Sequence, residues 1–357
     1  MINRSSWRTD WGGDSTQMEQ TAIELQKLGV EVDLFASTDS FDPGNYELLH
    51  LFNMTRPADF LHLAAHRFVL STIYVNYSEA DRHNRTGLAA VVSRMFGPDT
   101  IEYAKTLARW ALKGEQPPAK AYFLKGHRQA VRTLIDAALL WLPNSDSEYR
   151  RVAGDYGIEH PYIAVPNGTK SELFLVEQPP WEDRLGVICI GRIEPRKNQL
   201  ALIKALTDTD VPLHIVGHPG VNHGWYYEAC QEAAGANVTF HGHMHWGDRM
   251  VELISKCRVH CLPSWFETTG LVSLEAATLG CNIVVTDKGD TVDYFRKDAW
   301  YCDPGDTNSI KQAVLEAHRS AQSTTLRDRI RNEYTWKRAA EKTLEGYLLA
   351  LKIIEKR

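Results

Sequence analysis

No cysteine occurs before residue 189 of this 357-residue chain, and the six that follow sit mostly in apolar runs such as VHCLP and GCNIVV. They do not form the framework of a disulfide-rich secreted domain, and they read as reduced core thiols of a cytosolic protein. Long apolar stretches are also missing. None approaches the ~18 residues of a membrane span, and the opening MINRSSWRTD has no apolar core of a signal peptide. Excess basic charge is absent as well: 40 Lys and Arg stand against 45 Asp and Glu, a net charge of −5. That excludes the electrostatic footprint of a nucleic-acid binder. There is no internal repeat and no low-complexity tract. What remains is an ordinary globular composition, 43% hydrophobic and 24% charged, at a length that suits two domains.

Short apolar strands alternate with helical patterns throughout. Met18, Ala22, Leu25 and Leu28 recur at helical spacing from Ser15, with Gly29 placed as a helix stop. VEVDLFAS, ELLHLF, RFVLSTIYV, AALLWL (137–142) and YIAVP then read as strands. A segment rich in turn residues, PNGTKSELFLVEQPPWEDRLG, interrupts this rhythm near 166–183 and marks a domain boundary. Beyond it GVICIG, PLHIVG, NVTFHG, VHCLP, CNIVVT and WYCD are strands, with helices at Gln199–Leu206 and Leu271–Leu279 between them. Strands alternating with helices predict parallel, doubly wound sheets, here two in tandem with a cleft between their carboxyl edges. The expected division is an N-terminal domain over 1–168, a linker over 169–183 and a C-terminal domain over 184–335. A final amphipathic helix over 336–357 is expected to pack back on the first domain.

Three short constellations carry chemistry. In GRIEPRKNQ (191–199) a strand ends at Gly191, Arg192 follows, and Lys197 stands where a helix begins. Cations at a strand-to-helix turn suit a phosphate or diphosphate; a solvated basic turn is the plainer reading. In SWFETTGLVSLEAATLG (264–280) Glu267 lies in a loop, Gly270 permits close backbone approach, and Glu275 falls about one turn into the helix. Two carboxylates beside an anion site make sense if they hold the hydroxyls of a sugar and a ribose; a cap and a solvent-facing glutamate are the alternatives. WGGDSTQ (11–17) is a third candidate anion cradle, although it lacks the third glycine of a dinucleotide fingerprint.

Together these pieces resemble family 4 of the retaining nucleotide-sugar glycosyltransferases, which have the GT-B fold. Gly12-Gly13, Pro166-Asn167-Gly168, Gly191-Arg192 with Lys197 five residues on, Glu267 and Glu275 with seven residues between them, Asp303-Pro304-Gly305 and Trp336 occur in the family's order from about 11 to 350. The implied fold is α/β, two Rossmann-like domains facing each other across a cleft. The implied roles are Arg192 and Lys197 on the donor diphosphate, with Gly191 and Asn198 beside them, and Glu267 on the donor sugar. Thr268 and the backbone of Thr269, Gly270 and Leu271 would reach sugar and phosphate, and Glu275 would hold the ribose. Gly12, Gly13 and Asp14 would approach from the first domain. Base contacts would come from Gly217, His218, His243 and Met244. The chain departs from the family where Thr268 and Thr269 replace a glycine and an aromatic, and where Tyr74 takes the place of a histidine.

The resemblance implies transfer of a sugar from a UDP- or GDP-sugar to a glycan or lipid-linked hydroxyl, with retention, without a metal or other cofactor, in surface polysaccharide or glycolipid synthesis. A nucleotide-sugar epimerase or a phosphorylase of the same fold, and a non-catalytic binding module, are the alternatives; neither enzyme has a clear motif here. Acceptor candidates are Tyr74, Asn76, Tyr77 and Glu79. Residues 82–132 hold ten Lys or Arg against three Asp or Glu. That asymmetry suits peripheral docking at the anionic cytoplasmic membrane face, docking of a lipid-diphosphate-linked acceptor, or a solvated basic surface. His241, His243 and His245, and the group Cys257, His260 and Cys261, lack the paired spacing of a zinc site.

Overall fold

The computed structural model describes residues 1–75, 98–113 and 120–355. They form two units: Met1–Asn167 with Trp336–Arg357, and Gly168–Thr335. In the first unit the elements run β1 (Ile2–Asn3), α1 (Gly13–Lys27), β2 (Phe35–Ala36), β3 (Leu49–Phe52), α2 (Pro57–Phe60), β4 (Phe68–Ser71), α3 (Pro98–Lys113), α4 (Lys120–Ala137), β5 (Leu140–Trp141) and α5 (Asp146–Tyr156). The strands are parallel in the order β2-β1-β3-β4-β5. β3 and β4 are buried at every position, as continuous apolar strands covered on both faces must be.

Helix α1 buries Met18, Ala22 and Leu25 and stops at Gly29, whose φ of 85° continues the chain after Val30 N–H has closed on Leu25 O at 3.1 Å. Three expected strands are shorter than the apolar pattern suggested. Of VEVDLFAS only Phe35–Ala36 pairs, because this edge strand has a single neighbour, the two-residue β1. In AALLWL the helix α4 runs to Ala137 and the strand is confined to Leu140–Trp141. YIAVP makes an isolated bridge, Tyr162 to Trp141, continued by Val165 N–H to Pro143 O at 2.8 Å.

The second unit holds β6 (Val187–Ile190), α6 (Gln199–Leu206), β7 (Leu213–Val216), α7 (Gly224–Glu232), β8 (Val238–Phe240), α8 (Asp248–Ser255), β9 (Val259–Leu262), α9 (Leu271–Thr278), β10 (Asn282–Thr286), α10 (Thr291–Phe295), β11 (Trp300–Cys302), α11 (Thr307–Arg319) and α12 (Thr324–Glu333). Its sheet is also parallel, in the order β11-β10-β9-β6-β7-β8. All six cysteines are buried and unpaired, and burial pushes the thiols of Cys189 and Cys281 up to about 12.

The last helix, α13 (Trp336–Glu355), belongs to the first unit. Its buried face opens with Trp336 and continues in small residues: Ala339, Ala340, Thr343, Gly346 and Ala350. A Cβ on Gly346 would stand 2.8 Å from Leu142 Cδ2, so the helix lies close on the sheet. Tyr347 Oη bonds His50 Nδ1 at 2.8 Å, and the other ring nitrogen bonds Ser71 Oγ at 2.9 Å.

Each sheet has one place where the chain reverses its direction of winding. In the first it lies between β1 and β3; in the second, between β6 and β9. Helix N-termini and loops part there, and ligands of doubly wound sheets bind outside the carboxyl ends of those strands.

Candidate active site

The loops leaving β6 and β9 hold the strongest sequence constellations. β6 ends at Gly191, whose N–H bonds Val216 O at 2.9 Å, and Gly217 N–H bonds Gly242 O at 2.8 Å in the same direction. These strand ends crowd each other: a Cβ on Gly217, at φ 148°, would stand 1.9 Å from Gly191 O. Arg192 follows Gly191, half-buried. A short turn, Pro195–Lys197, then closes through Lys197 N–H to Glu194 O at 2.9 Å.

Lys197 Nζ is hydrogen-bonded to Glu267 Oε1, which joins the two loops through their charged ends. Trp265 N–H, bonded to Arg196 O at 3.0 Å, joins them through the backbone. Glu267 is buried and its own backbone is clamped: its N–H bonds Lys288 O at 3.1 Å, and its carbonyl accepts Asp290 N–H at 2.9 Å. A Cβ on Gly289 would lie 2.0 Å from that carbonyl. Thr268 and Thr269 lead to Gly270, which takes φ 69° at the cap of α9. Leu271 therefore opens a helix whose first amides are free of helical partners. Glu275 is half-buried on that helix. Burial pushes its carboxyl up to about 8, with Lys170 opposing the shift.

Glu194, which the sequence reading passed over, belongs to the same cluster. It is buried and its Oε1 takes Arg196 Nη2 at 2.6 Å and Nε at 3.1 Å. Burial alone would raise its carboxyl, but the charges of Arg196, Arg192 and Lys197 outweigh it and hold the carboxyl below the usual range. The only available signal was its position inside GRIEPRKNQ. His260 on β9 was also missed as a companion of the site. It is fully buried, and burial, then the Lys197 charge, push its ring down to about 3. It is a neutral ring beneath a cationic loop.

Asn198 sits with these residues, but its amide is committed to the scaffold. It adopts φ 61° and donates to Pro304 O at 2.8 Å and Pro263 O at 3.2 Å. It thereby ties the β6 turn to the β9 loop and to Asp303-Pro304-Gly305. At the ends of β7 and β8, His218 and His243 are exposed with ring centroids 5.4 Å apart, and Met244 packs against the core. Gly12, Gly13 and Asp14 are in the first unit, at the start of α1. There the Asp14 carboxylate is buried and taken by Arg4, Nε at 2.7 Å and Nη2 at 3.2 Å. Tyr74 lies along α5: its N–H bonds Glu148 Oε1 at 2.8 Å and its hydroxyl donates to Asp155 Oδ2 at 2.6 Å. Asn76, Tyr77 and Glu79 lie outside the described residues, as does much of 82–132. Among the described residues no group of three or more His, Cys, Asp or Glu could hold a metal, and no helix is long and apolar enough to cross a membrane.

A neutral sugar hydroxyl or a phosphate oxygen would find both kinds of partner here: carboxylates to accept, cations and helix amides to donate. Residues 174–335 match the model of the family Glycosyl transferases group 1. Glycogen synthase of Mycobacterium tuberculosis is 27% identical over 177 residues, 46% of this chain and 42% of that relative. The match thus spans less than half the length of the curated relative. Sucrose-phosphate synthase from Thermosynechococcus elongatus is similar in structure at a TM-score of 0.71 and 16% identity, over 97% of this chain and 98% of that one. HepE of Anabaena, solved with UDP and glucose, is similar at a TM-score of 0.66 and 14% identity, over 97% and 98%. These likenesses give the fold class as GT-B, two Rossmann-like α/β domains.

Proposed function

We propose that this chain is a glycosyltransferase that moves a sugar from a UDP- or GDP-sugar to a hydroxyl of a glycan or lipid-linked acceptor, with retention of configuration and without a metal. The observation that carries the reading is the Lys197–Glu267 pair beside Arg192, held at the β6/β9 switch point within the stretch matched by the family model. The UDP in the similar HepE structure favours uridine as the first base to test. Surface polysaccharide or glycolipid synthesis is the setting proposed for it.

In this reaction the bond between sugar C1 and the leaving phosphate oxygen breaks, and that oxygen gains negative charge. A bond forms between C1 and the acceptor oxygen on the same face. The acceptor's proton passes to the leaving phosphate oxygen, so no side chain is required as base. Lys197 gives up Glu267 to the diphosphate, Arg192 and the first amides of α9 complete the anion's partners, and Glu267, released, accepts from sugar hydroxyls. Donors aimed at developing charge act on the transition state more than on the bound ground state.

The test is a screen of UDP- and GDP-sugars for nucleoside diphosphate release, with and without EDTA. The expected result is release from at least one donor, undiminished by EDTA. If no donor binds or turns over, the reading fails. Peripheral membrane contact through 82–132 is part of the same proposal, supported by exposed Trp110, Phe123 and Leu124; flotation with anionic but not neutral vesicles is the expected result.

A further inference from the structure

The first unit has its own switch point, between β1 and β3, and the loop leaving β1 there is built with unusual care. Residues 5–12 wrap around one buried guanidinium. Besides holding Asp14, Arg4 donates to Ser6 Oγ at 2.8 Å and to the carbonyl of Asp10. From the loop leaving β3, Arg56 Nη1 reaches the same Ser6 Oγ at 3.3 Å, and Asp59 Oδ2 accepts Ser5 N–H at 3.2 Å. The carboxylates of Asp14, Asp10 and Asp59 outweigh burial and keep the Arg4 guanidinium charged.

Fixing Asp10 fixes the residue after it. Trp11 is 49% exposed, yet its ring has little freedom. Its indole N–H is bonded to Thr16 Oγ1 on α1 at 3.0 Å. Trp7, buried among Met18, Ala36, Phe52 and Ile73, walls it in with ring centroids 6.0 Å apart. Gly12 follows without room for a side chain, since a Cβ there would stand 2.9 Å from Asp14 Oδ1. A tryptophan whose polar atom is already satisfied, and whose apolar surface is held rigidly in water, gains by being covered.

We propose that Trp11 is the stacking platform for a saccharide ring of the acceptor. The assignment rests on the glycosyltransferase reading for the word acceptor. The chemistry of the ligand comes from the loop itself. A pyranose offers one face of C–H bonds to an indole, and hydroxyls around its rim to polar neighbours. Thr9 and Asp10 stand exposed immediately before Trp11. A lipid tail would want a wider apolar surface than one indole set among Arg8, Thr9 and Asp10.

The test uses the full chain labelled with nitrogen-15. Its ten tryptophans give indole N–H resonances, and the one belonging to Trp11 is assigned by its loss in Trp11→Phe. The probes are glucose, galactose, mannose and maltose, and separately UDP. The expected result is a shift of the Trp11 resonance by at least one saccharide and not by UDP alone. In turnover, Trp11→Ala raises the KM for the acceptor by about tenfold, as truncation of a tryptophan anchor does. Trp11→Phe keeps most of the affinity. A Trp11 resonance that no saccharide moves overturns the platform. So does one moved by UDP alone. If the wild-type chain releases no nucleotide from any donor, the glycosyltransferase reading falls, and the saccharide titration still decides the platform.

Discussion

At the scale of single residues, the site stores its charges as internal pairs. Lys197 holds Glu267 and Arg196 holds Glu194, so a diphosphate bound as proposed would exchange partners rather than fill an empty cationic pocket. Lys197→Ala leaves Glu267 buried without its ammonium and, in the proposed mechanism, removes a donor to the leaving phosphate. The expected loss is roughly 3 kcal/mol of barrier, 10² to 10³ in kcat, with circular dichroism unchanged. Full activity in steady-state nucleotide release would remove Lys197 from the mechanism. Glu275 gives a pH signature of another kind. Its folded-state carboxyl is raised to about 8 by burial, against about 4.3 in an unfolded chain. A raised folded value contributes stability that is complete below the unfolded value and is lost as pH climbs through 8. Glu275→Gln removes that loss. Because the carboxyl keeps some surface, the gain at pH 9 is set at about 1 kcal/mol, ~3 °C in midpoint, and it vanishes at pH 4. Melting curves of both chains at the two pH values decide it; equal pH slopes would mean the carboxyl is not desolvated.

At the scale of elements, glycine governs how closely the strand ends approach. Gly217→Ala would drive a Cβ into Gly191 O at a φ few other residues adopt. The expected cost is about 3 kcal/mol to the second unit, read by denaturant unfolding, whereas the same change at Gly154, which has open space, stabilises its helix or leaves it unaffected. Much of this level was legible in the sequence. β3, β4, β6, β9 and β10 are buried along their whole length, and a strand covered on both faces prints a continuous apolar run. β2 and β5 were over-read, because an apolar run says how long a strand could be while pairing partners decide how long it is. The cationic turn at Arg192–Lys197 was legible as charge where a strand gives way to a helix. What could not be read was which polar atoms the fold consumes. Asn198 spends its amide on two carbonyls because its backbone is left-handed, Tyr74 runs along a helix to Asp155, and Glu194 is invisible until Arg196 folds over it. The first two depend on contacts made far along the chain or on a left-handed dihedral angle, and the third on the way a short turn folds Arg196 back onto a neighbour two residues away.

At the scale of the whole molecule, chain order and domain order differ. The second unit is one continuous stretch with its own core, whereas the first is closed by a helix that arrives after the second is complete. The small face of α13 lets it lie against the sheet, and Trp336, Ala339, Ala340 and Ala350 are all but inaccessible there. Tyr347 supplies a partner to His50, whose ring burial keeps well below its usual value and therefore neutral. Ending the chain after Thr335 exposes that apolar seam and leaves His50 without its hydroxyl. An unpaired buried polar atom and lost packing act in the same direction. The expected outcome is selective: the transition of the first unit falls by more than ~10 °C or disappears, while the second unit melts as before and binds UDP within about twofold of the full chain, since none of the proposed donor-binding residues of the second unit lies in α13. Calorimetric melting followed by UDP titration separates the two units. Loss of UDP binding together with the first transition would show that the diphosphate site depends on more than residues 168–335, and that α13 stabilises both units rather than one.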